Sequence, residues 1–227
     1  MKNVIDSVKI ISLLVFGIHF SLEVLACPSV SQDKLDMYLK NAVVKSDRGA
    51  IDKFINCGAN LESRSGDSYT ILHWAVAKAN LETIKLIVER GADVKALEFN
   101  RRDVKHLASL RGDLPITQYV FTLEVEDKID WYRKSAFHLA ALHNHTQIYR
   151  ELKERGVDID AQDWKFQTVL HYAVLNEHFE SVKLLLELGV DPYILDEEKA
   201  MAIDYAWDPK IRKIIKEYTR HRLPLNR

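Results

Sequence analysis

The chain has 227 residues, enough for one or two globular domains, and 47% of them are hydrophobic, which supports a real core. With 32 basic and 33 acidic residues, its net charge of −1 gives no bulk argument for binding nucleic acid or an acidic membrane surface. No low-complexity tract interrupts the sequence.

The first 26 residues stand apart. Lys2 and Lys9 precede an apolar run from Ile10 to Phe20, and Val24-Leu25-Ala26 offers small or compact residues before a cut. This pattern predicts a secretory signal peptide. The rival expectation is an uncleaved membrane anchor. Against it, the run is shorter than a spanning helix needs and Ile10 to Leu25 includes His19 and Glu23. Cys27 follows the predicted cut, and Val24-Leu25-Ala26-Cys27 is similar to a bacterial lipoprotein box, although Leu25 is atypical there. The other cysteine is Cys57, which sits just before Gly58 where the other repeats carry Arg90, Arg155 and Leu188, and is expected to be exposed. Lipidation of Cys27, a Cys27–Cys57 disulfide and two free thiols all remain open, since spacing alone does not decide between them.

From residue 35 onward the chain repeats. Thr168 to Asp191 shows the unit: a capping threonine, a short amphipathic helix, an interruption at Asn176-Glu177, a second helix and a stop at Gly189. His171 has counterparts at His138, His106 and His73, with Asp204 at the far end, at steps of 33, 32, 33 and 33 residues. Gly58, Gly91, Gly156 and Gly189 keep the same phase, and one glycine is skipped. The openings TILHWA at Thr70, SAFHLA at Ser135 and TVLHYA at Thr168, with GAN, GAD, GVD and GVD endings, resemble the ankyrin repeat over roughly residues 35 to 218.

The resemblance implies an all-α solenoid of helix-turn-helix repeats joined by β-hairpin fingers. The expected organisation is signal peptide 1–26, linker 27–34, repeats at about 35–64, 65–97, 98–125, 126–162, 163–195 and 196–218, and a basic tail 219–227. Repeats four and five, Glu126 to Leu195, are expected to be regular, and repeat three is the weak one. Asp103 replaces the capping threonine, Pro115 fits a first helical turn, Glu124 stands where glycine should end the second helix, and Val120, Phe121 and Thr122 are poor helix formers. The family's glycine between the helices survives only as Gly112, against Ala79, Asn144 and Glu177.

The in-phase histidines suggest a metal site, sharpest at His138, His143, His145 and His178. The resemblance instead makes all but His143 structural, and no Cys/His pair has metal-finger spacing. No G-x-S-x-G turn or glycine-rich phosphate loop is present. The expectation is therefore no catalysis, no cofactor and no metal.

Binding is the leading expectation. In ankyrin repeats the finger tips and the first-helix face line a concave partner surface. The tips here fall at Phe99, Trp131 and Trp164, with Tyr132 and Lys165 beside them, and the first-helix positions are Leu110, Leu142 and Leu175, with Arg111 and His143 as neighbours. An exposed apolar strip of this kind marks an interaction site. Two alternatives compete: aromatics folded onto adjacent fingers as cover, or leucines belonging to the core. The partner expected is a protein, with no nucleic acid and no membrane span after signal cleavage. The alternatives are an envelope protein binding metal or a small molecule for redox defence, and a tether lipid-anchored at Cys27.

Overall fold

The computed structural model describes residues 27–66, 68–124 and 128–220; the predicted signal peptide and most of the basic tail lie outside them. Helices follow one another in antiparallel pairs. The first pair is α1 (Gln32–Val44) with α2 (Arg48–Asn56), then α3 (Ile71–Lys78) with α4 (Leu81–Glu89), and α5 (Val104–Arg111) with α6 (Leu114–Val120). α7 (Ala136–Leu142) pairs with α8 (Tyr149–Glu154), and α9 (Val169–Leu175) with α10 (Phe179–Leu188). A 3-10 turn at Ala202–Tyr205 and α11 (Pro209–Arg220) close the stack. No described helix is long and apolar enough to cross a membrane.

Three first helices, α3, α7 and α9, start by the same device. The backbone N–H of Thr70, Ser135 and Thr168 donates to Nδ1 of the histidine three residues on, at 3.2 Å each time. A nitrogen that accepts an N–H carries no proton, so the ring proton sits on Nε2. From there His138 donates to the Gln167 carbonyl at 3.0 Å and His171 to the Ala200 carbonyl at 3.3 Å, tying each repeat to the next. At the first joint the Arg102 carbonyl lies near His73 without good hydrogen-bond geometry, and His73 Nε2 is buried unsatisfied. In the last repeat Asp204 Oδ2 accepts the Met201 N–H and so takes the histidine's capping role.

Repeat three departs from this scheme. Asp103 accepts from the N–H groups of Lys105 and His106 and from His106 Nδ1, the last at 2.8 Å. His106 Nε2 faces the Lys134 carbonyl at 3.1 Å, so only a doubly protonated ring satisfies both contacts. Burial would raise the Asp103 carboxyl, but the hydrogen bond and charge of His106 outweigh it and hold the group below its ordinary value.

The ends of the first helices are closed from the following repeat. His145 Nε2 donates to the Leu110 carbonyl at 2.9 Å, and His178 Nδ1 meets the Ala141 carbonyl at 3.3 Å. No histidine serves α3. Arg111 takes its place, giving one guanidinium nitrogen to the carbonyls of Val76 and Ala79 at 2.9 and 2.6 Å. The turn between helices is left-handed at Gly112, Asn144 and Glu177, whereas Ala79 is extended, with φ −88°. Only glycine fits at position 112, because a Cβ there would lie 2.3 Å from the His145 ring.

Three expectations are corrected. Repeat four is not regular: its second helix starts as a 3-10 turn, Thr146–Ile148, before the six residues of α8. Cys57 is half-buried, not an exposed thiol, and is bonded to Cys27 with Cα atoms 5.4 Å apart. That bond occupies the Cys27 sulfur a lipid anchor would need. Finally, the fingers are not paired strands. The β geometry among the described residues is one isolated bridge, Leu195 to Met201.

The core has a seam. One buried cluster runs from Leu35 to Val120 and a second from Phe121 to Ile215, so they divide at the end of α6. Buried polar atoms without partners gather in the same repeat: Ser109 Oγ, Thr117 Oγ1 and Asp103 Oδ2. Desolvating such atoms without a partner is unfavourable, which predicts that repeat three is a weak joint.

Candidate functional site

The fingers are five-residue turns. In each, the N–H of the first residue donates to the carbonyl of the fifth: Ser65 to Tyr69 at 3.1 Å in the first finger and, in the four that begin with an acid, Glu98 to Arg102, Asp130 to Lys134, Asp163 to Gln167 and Asp196 to Ala200, all at 3.0 Å. The fourth residue adopts positive φ, at Arg101, Arg133, Phe166 and Lys199. That conformation is uncommon for any residue with a side chain and an outlier for one as bulky as Phe166.

The first residue's carboxylate holds the turn. One oxygen of Asp130 accepts the N–H groups of Tyr132 and Lys134; Asp163 serves Lys165 and Gln167, Asp196 serves Glu198 and Ala200, and Glu98 serves Asn100 and Arg102. The second oxygen is used as well. Tyr172 donates to Asp163 Oδ2 at 2.8 Å, Tyr205 to Asp196 Oδ2 at 2.6 Å, and Arg102 Nε to Asp130 Oδ2 at 3.1 Å. All four acids are buried. Sequence reading missed this set, although its signal was present: each acid lies eight residues before the motif position, at His106, His138, His171 and Asp204.

Backbone bonds then join finger to finger. The Trp131 N–H donates to the Asn100 carbonyl at 2.8 Å, that of Trp164 to Tyr132 at 3.0 Å, and that of Glu197 to Lys165 at 2.9 Å. The second residue of each turn is thereby held against its neighbour, in register, with its side chain at the tip. Phe99 is 75% exposed, Trp131 70%, Trp164 51%, Phe166 49% and Tyr132 44%. Rings this exposed are not folded down as cover. Lys165 Nζ lies 5.2 Å from the centre of the Trp164 ring, and Lys134 Nζ lies 5.7 Å from Tyr132 and 5.1 Å from Tyr172.

The first-helix positions behave differently. Leu110 is partly buried against the first core cluster, Leu142 is half-buried and Leu175 is exposed, so the expected leucine strip is uneven. Arg111 is committed to the end of α3. His143 is exposed, with its ring 5.9 Å from that of His145. Burial first, then Coulombic repulsion from His145, Arg102 and His178, lowers its pKa below the ordinary histidine value. No group of three or more potential ligands that could hold a metal is found among the described residues.

A second concave surface was missed. Met37, Lys40, Arg64, Tyr69 and Trp74 line a cavity of about 270 Å³ between the first two repeats. A neighbouring cavity of about 450 Å³ joins Tyr69 and Trp74 to Leu110 and Arg111. Trp74 Nε1 donates to Ser65 Oγ, and Lys40 Nζ lies 5.1 Å from the centre of its ring. Trp74 directly follows the motif histidine His73 in sequence.

The geometry defines a helical repeat array with a finger surface, and comparison with known proteins agrees. The family model for ankyrin repeats in three copies matches residues 105–196, and that for a single ankyrin repeat matches residues 67–98. The chain belongs to the ankyrin repeat family. It is similar to the Notch-regulated ankyrin repeat-containing protein of Xenopus laevis, 30% identical over 84 residues, 37% of this chain and 74% of the relative. Protein A of that name from Danio rerio is 30% identical over 84 residues, 37% of this chain and 75% of its own length. The human protein is 32% identical over 72 residues, 32% of this chain and 63% of its length.

Proposed function

We propose that this chain is an exported, non-catalytic binding module that holds a protein partner on the tips of its second, third and fourth fingers. The observation that carries this reading is the row of exposed aromatics, Phe99, Trp131, Tyr132, Trp164 and Phe166, fixed in register by hydrogen bonds between fingers. A backbone already held in register loses little freedom on docking, and aromatic anchors dominate interface energies. Membership of the ankyrin repeat family supports a binding role. Export rests on the basic and apolar pattern of residues 1–26, together with the Cys27–Cys57 bond, which persists in an oxidising compartment.

The test is affinity capture by the full chain against its Trp131→Ala/Trp164→Ala variant, after both show equal helical content and melting. Loss of two anchors weakens a partner by roughly a hundredfold or more. A partner captured equally by both would show that the tips are not the working surface.

A further inference from the structure

We infer that the segment bound at the finger tips is acidic, with apolar side chains between its carboxylates. This rests on the finger-tip reading and adds the chemistry of the partner. The turns at 98–102, 130–134 and 163–167 read EFNRR, DWYRK and DWKFQ, which hold three acidic and five basic residues. Their acids and bases are sorted by position. Glu98, Asp130 and Asp163 are buried, and their oxygens are occupied by backbone N–H groups and by Asn100, Arg102 and Tyr172. Arg102 is spent on Asp130.

The remaining charges that reach water are Arg101, Arg133, Lys134 and Lys165, each within two residues of an exposed ring. The net charge of −1 conceals this, because the fold places the turn acids inside and the turn bases outside. The fifth finger ends the basic ledge with exposed Glu197 and Glu198, and Lys165 Nζ leans toward Glu197 Oε1 at 3.8 Å. That contact shows Lys165 already meeting a carboxylate. A positive, aromatic ledge with an acidic end attracts and orients an acidic, apolar segment.

The experiment pans a phage library of random dodecapeptides on three immobilised full-length baits: the native chain, Arg101→Glu/Arg133→Glu, and Trp131→Ala/Trp164→Ala. Both arginines are at positive φ, a conformation that Glu177 shows glutamate can adopt in this fold. The native chain is expected to enrich peptides mixing Asp or Glu with aromatic and aliphatic residues. Their binding should fall at least tenfold on the arginine variant and at least tenfold between 50 mM and 300 mM salt. Enrichment of neutral or basic peptides, no enrichment over the tryptophan variant, or unchanged binding on the arginine variant would overturn the inference. Peptides lost on the tryptophan variant but kept on the arginine variant would leave the ledge standing and remove only its acidic preference. Vesicles of phosphatidylcholine with phosphatidylserine form a parallel arm, and their capture without acidic peptide enrichment would assign the ledge to a membrane surface.

Discussion

Asp163 accepts two backbone N–H groups and the Tyr172 hydroxyl from inside a turn that would otherwise leave those donors unpaired. Hydrogen bonds to a charged group are worth about 1.5–3 kcal/mol each in favourable settings, and they are not additive. Asp163→Ala is expected to destabilise the chain by about 2–3 kcal/mol in urea, where exposed Glu180→Ala stays within about 0.5 kcal/mol. The motif histidines set a pH dependence. Burial lowers the pKa of His73, His138 and His171, while in the unfolded chain each titrates near 6.5. Stability from the neutral rings is therefore full above about pH 6.5 and is lost as pH falls toward the lower folded values. Melting should occur at a lower temperature at pH 5 than at pH 7.5, and His138→Gln should show a shallower dependence. An equal or higher melting temperature at pH 5 would contradict the burial account.

At the scale of elements, repeat three is the joint to watch. Its hydroxyls at Ser109 and Thr117 are buried without partners, so Ser109→Ala and Thr117→Val should each raise stability by about 1 kcal/mol. Hydrogen exchange should be fastest between Val104 and Leu123, and uniform protection along the array would argue against a soft seam. The expectation that this repeat is weak rests on local signals in sequence, Glu124 in place of the glycine that ends the second helix elsewhere and the poor helix formers Val120, Phe121 and Thr122. The array itself was legible for the same reason, since its period comes from residues that cap helices and end them. The fingers were less legible. Their aromatic tips could be read from phase, but the buried acids beneath them could not, because charged residues are ordinarily assigned to the surface. Arg111 misled for a related reason. It sits at a partner-facing position, yet an absence elsewhere, that of a histidine to close α3, recruits its guanidinium.

For the whole molecule, the bond between Cys27 and Cys57 ties the chain ahead of α1 to the end of α2 across 30 residues. Closing a loop of that length in the unfolded state contributes roughly 3–4 kcal/mol on the chain-entropy account. Cys27→Ser/Cys57→Ser should melt the N-terminal cluster first and leave the second cluster close to native; loss of both together would show the seam does not uncouple them. The finger ledge draws on repeats three to five, so the working surface spans that seam while its larger part rests on the second cluster. The most direct test of this account is hydrogen exchange of the full chain with and without its captured partner. Protection is expected at residues 98–102, 130–134 and 163–167, with α8 and α10 unchanged. Protection confined to α8 and α10, with the fingers exchanging as in the free chain, would place the partner elsewhere and contradict the central claim.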